Sequence, residues 1–272
     1  VQKVDSIDGD RVNRIWSVKK LSDLSFEKHF GKKDYTKEEV ASIKTEDESL
    51  AKAQQIANYM FSNGMDSMAD AAKEIANGLV SINDRLNYNL NKELKGRVTG
   101  DNPEDMSTKF YGNGNVKPVK KTESHGTHVA GIVAQVRGNK KGGDGVADNV
   151  LIMSVRAVPN GDEHDKDVAN AIRYAVDNGA KVINMSFGKS FSPYHEKVQE
   201  AIQYAVSKDV LMIHAAGNDA SDIDYTDNFP KKPAFDYIDS TSRKLFLNIG
   251  ANTKEAGDAL VASFSNFGAM EV

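Results

Sequence analysis

The chain has no cysteine among its 272 residues. That excludes disulfides, thiolate metal sites and a cysteine nucleophile. It leaves the compartment open, because exported bacterial proteins also do without cysteine. No apolar run approaches the roughly 18–20 residues that a membrane span needs. Neither sign of charge dominates: 39 acidic and 35 basic side chains give a formal net charge of −4. Nucleic acid is therefore not an expected partner. Residues 1–100 carry 16 acidic and 16 basic side chains, the mixture of a solvated surface. The opening "VQKVDSIDGD" lacks the apolar stretch of a signal peptide. Either export is not expected or a leader lies outside this chain.

What is present falls into two textures. Residues 1–100 read as a helical, charge-rich insertion or subdomain. In "EDESLAKAQQIANYMF" the apolar positions Ile56, Met60 and Phe61 share a helical face. After Asn63-Gly64, the series Met68, Ala72, Ile75, Leu79, Ile82, Leu86 and Leu90 recurs at three- and four-residue steps. That spacing predicts one buried stripe on long amphipathic helices. A Gly-, Asn- and Pro-rich linker, 97–121, separates this region from the rest.

Residues 101–272 read as an α/β core. "NVLIMSVRAV" (149–158), "KVINMSFG" (181–188), "VLMIHAAGND" (210–219) and "KLFLNIGAN" (244–252) are short apolar strand candidates. Between them lie helical stripes, Val168/Ile172/Val176 and Val198/Ile202/Val206. This alternation predicts βαβ units and a parallel sheet with helices on both faces. In such sheets chemistry gathers at the carboxyl ends of the strands. Those segments are 124–128, 157–162, 186–192 and 215–221.

The first holds "SHGTHVAGIVAQV", with His125 and His128 three apart. As a zinc site it lacks the glutamate and the spacing of H-E-x-x-H, and no third ligand is near in sequence. Val129, Ile132, Val133 and Val136 are expected to bury the helix that follows. His125 would then sit rigidly at a helix N-terminus, where the helix dipole disfavours the imidazolium and lowers its pKa. A neutral imidazole is what a general base requires.

"SHGTHVAGIVAQ" resembles the histidine motif of the subtilisin-like serine proteases. "KVINMSFG", "HAAGND", "GVADNVLIMSVRAV" and "NIGANTKEAGDALVASFSNFG" resemble other framework segments of that family, in its order, so the resemblance covers about residues 97–272. It implies a subtilisin-like three-layer α/β fold, a polypeptide substrate and hydrolysis through an acyl-enzyme. By its pattern His125 is the base and His128 a structural companion. It makes Asn218 an oxyanion donor; an amide donates a hydrogen bond without carrying charge. The alternative for Asn218 is a turn residue before Asp219. Ser186, Phe187 and Gly188 map to the segment that pairs with the substrate backbone, although Phe187 could equally be a core aromatic. Ala157, Val158, Asn160 and Gly161 map to the opposite edge of the cleft, and Ala216-Gly217 lead into Asn218. The resemblance also implies surface-loop calcium, with 217–228 as candidate beside the simpler reading of a polar loop, and a secreted or periplasmic full-length protein. His214 departs from the small apolar residue that the family has there.

A triad needs a serine, a histidine and a carboxylate. No D-[ST]-G turn follows an apolar strand here; Asp5-Ser6 is followed by Ile7. "GMDSMADA" (64–71) imitates G-T-S-M-A, but Ser67 precedes His125 and Met68 continues a helical stripe. The chain stops at "NFGAMEV", before the family's serine segment. The expectation is therefore the central part of a protease, inactive by itself. Its helical region would be an insertion that serves as a partner surface or as a gate over the cleft. The alternative is a degenerate fold used as a binding module. A nucleotide-binding domain fits worse, because "GNKKGGDG" lacks G-x-G-x-x-G.

Overall fold

Thr36 and Glu39 close a capping box: the Thr36 hydroxyl accepts from Glu39 N–H, and Thr36 N–H donates to Glu39 Oε2. It starts α1 (Lys37–Ala41). Asp47 accepts from Leu50 N–H at 2.9 Å and starts α2 (Glu48–Ser62). Gln54 on α2 donates to the Val40 and Ile43 carbonyls, which pins the α1–α2 turn. The computed structural model describes residues 10, 17, 20, 23–32, 35–62, 68–90, 96–118, 123–233 and 242–272. It divides the chain into two units, Val1–Gly96 and Arg97–Val272.

In the first unit the core joins Phe26, Tyr35, Val40 and Ile43 to Leu50, Ala53, Ala57 and Phe61 of α2. The expected face of α2 is offset. Phe61 is buried, but Ile56 and Met60 are only half-buried, and Ala53 and Ala57 form the contact. Small side chains let the neighbouring turn approach more closely than an isoleucine would. Helix α3 (Met68–Asp84) runs on into a π turn, Arg85–Asn89. Leu79, Ile82, Leu86 and Leu90 are half-buried on it. Asp5, Ser6 and Ser67 lie outside the described residues, as do the side chains of Met68, Ala72 and Ile75.

The second unit holds α4 (His125–Ala134), α5 (Asp165–Asp177), β1 (Val182–Met185), α6 (His195–Ser207), β2 (Leu211–Ala215) and β3 (Phe246–Ile249). The strands form a parallel sheet in the order β1-β2-β3. Met185 stands beside His214, and Ala215 beside Ile249, so the carboxyl ends of β1 and β2 are level. Helices α5 and α6 cover one face. Val168 and Ile172 of α5 and Val198, Ile202 and Val206 of α6 bury against Met185, Met212 and Phe246. The α/β parallel-sheet class and both helical stripes are as the sequence predicts.

Both helices end in a Schellman motif. Gly179 N–H bonds Val176 O and Ala180 N–H bonds Ala175 O after α5; Asp209 and Val210 repeat this after α6. Gly179 adopts φ +86° freely, whereas Asp209 holds φ +57° with a side chain.

Two expectations fail. Residues 149–158 form no strand: Leu151 is fully exposed, and Val150, Ile152 and Met153 are also exposed. A β-branched apolar run becomes a strand only where another backbone offers it a ladder. Among the described residues none does. The aliphatic stripe of α4 is likewise not buried, with Ile132 and Val136 exposed and Val129 and Val133 half-buried. No described element packs over it. The second face of the sheet is also open there, as the exposed Val182 and Ile249 record.

Candidate active site

β1 ends at Met185, and the chain continues as Ser186-Phe187-Gly188. Asn184 Nδ2 donates to Ser186 Oγ at 2.8 Å. Phe187 is half-buried and packs against the main core, while its carbonyl faces His214 Nε2 at 2.9 Å. A Cβ at Gly188 would overlap Asn228 Oδ1, so a side chain here would displace the Asn228 amide. Lys189 then pairs its N–H and C=O with Phe229.

Ala157, Val158, Asn160 and Gly161, expected as the opposite wall, are all half-buried and lead to the first turn of α5. Lys189 ties the segment after β1 to the start of α5. Its ammonium donates to Glu163 O at 2.7 Å and pairs with Asp165 at 2.7 Å. Asp165 is buried and also accepts from Ser192 Oγ and Tyr194 N–H. Burial raises the pKa of the Glu163 carboxyl, and the nearby Gly188 N–H partly offsets this.

Behind the second wall lies a buried charge cluster. Arg97 grips Asp167 with Nε and Nη2, at 2.8 and 2.9 Å, and reaches Asp101 Oδ2 at 2.9 Å. The Lys166 ammonium, buried, donates to the same Asp101 oxygen at 2.5 Å. Tyr111 OH donates to Asp167 Oδ1 at 2.5 Å. Burial disfavours the charged forms, but the mutual hydrogen bonds win. They hold Asp101 below the usual carboxylate range and Arg97 above its ordinary value. Burial together with Asp167 pushes Tyr111 up to about 12. The cluster fastens the linker at 97–111 to the start of α5.

β2 carries Ala215, Ala216, Gly217 and Asn218 out of the sheet. Ala215 and Ala216 carbonyls accept from Asn228 Nδ2 at 3.0 and 2.8 Å. Gly217 has φ +109°, a conformation that favours glycine. Asn218 is exposed, and none of the described residues hydrogen-bonds its amide. His214, which sequence reading leaves unexplained, is fully buried between Asn248 Oδ1 at 2.8 Å and Phe187 O at 2.9 Å. Burial lowers its pKa; the two acceptors oppose that. It joins all three strand ends through one ring.

His125 starts α4 and its ring is exposed, without a described hydrogen-bond partner. His128 is exposed on the same helix rather than enclosed. Arg156 pairs with Glu123 at 2.9 Å, which fastens the entrance of α4 to the extended run beside the second wall. No described hydrogen bond or ring contact joins α4 to 186–188 or to 215–221. Described hydrogen bonds thus join the segment after β1 to the start of α5 through Lys189 and to the end of β2 through His214, while α4 is bonded to 145–147 and, through Glu123, to Arg156.

The calcium candidate does not fit its loop. Asp224 accepts from the N–H groups of Ala269, Met270 and Glu271, Asp222 closes its own turn, and Asp227 pairs with Lys231. Their oxygens do not converge, and no described cluster of three acidic or histidine side chains does either. Among the described residues no helix is long and apolar enough to cross a membrane.

A parallel sheet with helices on one face and loops at its carboxyl ends defines an α/β protein. The family model of the subtilases matches residues 51–271, and the chain belongs to the subtilase family. It is similar to thermitase of Thermoactinomyces vulgaris, 37% identical over 55% of this chain and 52% of that protein. It is also similar to a thermophilic serine proteinase of Bacillus sp. (strain AK1), 43% identical over 36% of this chain and 24% of that protein. A cell wall-associated protease of Bacillus subtilis (strain 168) is 32% identical over 76% of this chain and 22% of its own length. Among solved structures, the psychrophilic subtilisin-like protease Apa1 of Pseudoalteromonas sp. AS-11 is 27% identical, with a TM-score of 0.45 over 58% of this chain and 33% of that one. The chain spans about half or less of the length of these relatives.

Several residues that shape the cleft carry no local signal in the sequence. Lys189, Asn228, Asn248 and Asn266 gain their roles from partners distant in the chain. Asn248 and Asn266 sit within the string "NIGANTKEAGDALVASFSNFG" that the family resemblance picks out, without a sign of their partners.

Proposed function

We propose that this chain is the central part of a serine endopeptidase. In it His125 is the general base and Asn218 donates to the oxyanion. Residues 186–188 hold one side of the peptide; 157, 158, 160 and 161, with 216 and 217, hold the rest. A serine Oγ attacks the scissile carbonyl and gives its proton to His125. The carbonyl electrons move to oxygen, which the Asn218 amide meets. The histidine then protonates the leaving amine, and water repeats the sequence on the acyl-enzyme. The observation that supports this reading is Asn218, exposed three residues beyond β2, whose amide no described residue hydrogen-bonds. The serine and the carboxylate come from the rest of the encoded polypeptide, so this chain alone does not turn over peptides. The helical residues 1–100 are an insertion with a partner surface, and the full protein works outside the cytoplasm.

Labelling by a serine-directed peptidyl phosphonate tests this. The encoded polypeptide is expected to label and the 272-residue chain not to. An unlabelled encoded polypeptide with no D-[ST]-G or G-T-S-M-A motif would instead make the fold a binding module.

A further inference from the structure

The loop that carries Asn218 is paired at its ends by backbone bonds, Ala216 N–H to Ile249 O, Ala220 N–H to Phe264 O and Phe267 N–H to Ser221 O, and no described backbone–backbone bond reaches Asn218 or Asp219. Between those ends its described hydrogen bonds go to one buried residue, Asn266, which lies 48 residues further along the chain. Asn266 Oδ1 accepts from Asp219 N–H at 2.8 Å and from Ser221 N–H at 3.0 Å. Asn266 Nδ2 donates to Ala216 O at 2.9 Å. Its backbone N–H adds a bond to Gly217 O at 2.9 Å. One amide thus satisfies groups on both sides of Asn218 and none on Asn218 itself. Asn266 is 4% exposed, so water cannot replace these bonds. A Cβ at Gly217 would overlap Asn266 Nδ2, which explains the glycine there.

We propose that Asn266 is the positioning residue for Asn218: it fixes residues 216–221 so that the Asn218 amide is held at the oxyanion position before substrate arrives. The inference rests on Asn218 being the oxyanion donor. Preorganised donors stabilise the transition state because they do not have to reorient during the reaction. Asn266 itself does not touch substrate. Without it, the Asp219 and Ser221 N–H groups lose their partner while Ala216 O keeps Asn228, and the stretch around Asn218 loosens between its backbone-bonded ends. Asn218 can still reach the oxyanion, but only in a fraction of its conformations. Ground-state binding on the Phe187 wall is untouched, so kcat falls and KM stays.

The test is a double-mutant cycle in the encoded polypeptide with a peptide anilide. Asn218→Ala is expected to lower kcat by roughly 10²–10³-fold, the loss measured for this asparagine in another subtilase. Asn266→Ala is expected to lower kcat on the order of 10²-fold, as for a displaced catalytic group, with KM unchanged. The double variant is expected to be no slower than Asn218→Ala, because Asn266 acts only through Asn218. Asn266→Ser, whose hydroxyl still accepts one N–H, is expected to fall between Asn266→Ala and wild type. It also decides the matter if Asn266→Ala does not fold. Losses that multiply in the double variant, a KM effect without a kcat effect, or full activity in Asn266→Ser and Asn266→Ala together overturn the inference. If Asn218→Ala retains full kcat, the oxyanion reading has failed first, and the Asn266 role goes with it.

Discussion

Asp167→Asn perturbs the charge cluster behind the cleft wall in a way whose size can be worked out. The cluster holds two cations, Arg97 and Lys166, and two anions, Asp101 and Asp167, and is therefore neutral. The Arg97 side chain is 5% exposed and that of Asp167 11%. Asparagine keeps the shape but removes one negative charge, and its NH₂ group faces Arg97 donors. One buried positive charge is left uncompensated. Removing one partner of a buried pair costs about 3–5 kcal/mol. Arg97 keeps Asp101, so the lower end, about 3 kcal/mol, is expected. With a urea m-value of about 2 kcal/mol/M, the midpoint falls by about 1.5 M. Hydrogen exchange of peptides from α5 in rising urea reads this unit without interference from the first. The double variant Arg97→Met/Asp167→Leu, which leaves Lys166 and Asp101 paired, is expected to lose less than Asp167→Asn alone. A loss under about 1 kcal/mol in the single variant, or a double variant worse than the single, refutes the account of a coupled buried cluster.

Three further outcomes are expected. His214 has a folded-state pKa below its ordinary value, so its contribution is full above about pH 6.5 and drains away as pH falls toward the depressed value. His214→Leu removes the one N–H of the neutral imidazole, leaves the oxygen it served without a donor at roughly 1–3 kcal/mol, and flattens this acid limb, as urea midpoints between pH 4 and 8 should record. Asp209→Gly relieves the φ +57° position after α6 and is expected to raise stability by about 0.5–1 kcal/mol, measured by melting. Gly217→Ala combines a φ of +109° with overlap on Asn266, and is expected to cost roughly 1–3 kcal/mol of strain. Thermal melts with unchanged midpoints would sink that last point.

The sequence made β1, β2, β3, α5 and α6 legible because their apolar periods match the faces they bury. Val198, Ile202 and Val206 recur at four-residue steps and meet one sheet face. Residues 149–158 read as a strand for the same reason, yet composition records only a preference; the ladder needs a second backbone. The α4 stripe failed in the same way. In α2 the period was right and the face was offset, since alanines that permit close approach carry less signal than Ile56. At the site, the residue types at the strand ends were readable, and their supports were not. Asn266, Asn228 and Lys189 act on groups many residues away, and no local pattern encodes that.

The central claim is that His125 takes the proton of a serine held by the encoded polypeptide. Steady-state hydrolysis of a peptide ester by that polypeptide and by its His125→Ala form tests it most directly. The account predicts turnover that drops on the order of 10⁶-fold, the loss measured when another subtilase loses its histidine. It also predicts no turnover by the 272-residue chain alone. Equal rates with and without His125, or hydrolysis by the isolated chain that His125→Ala abolishes, would contradict it.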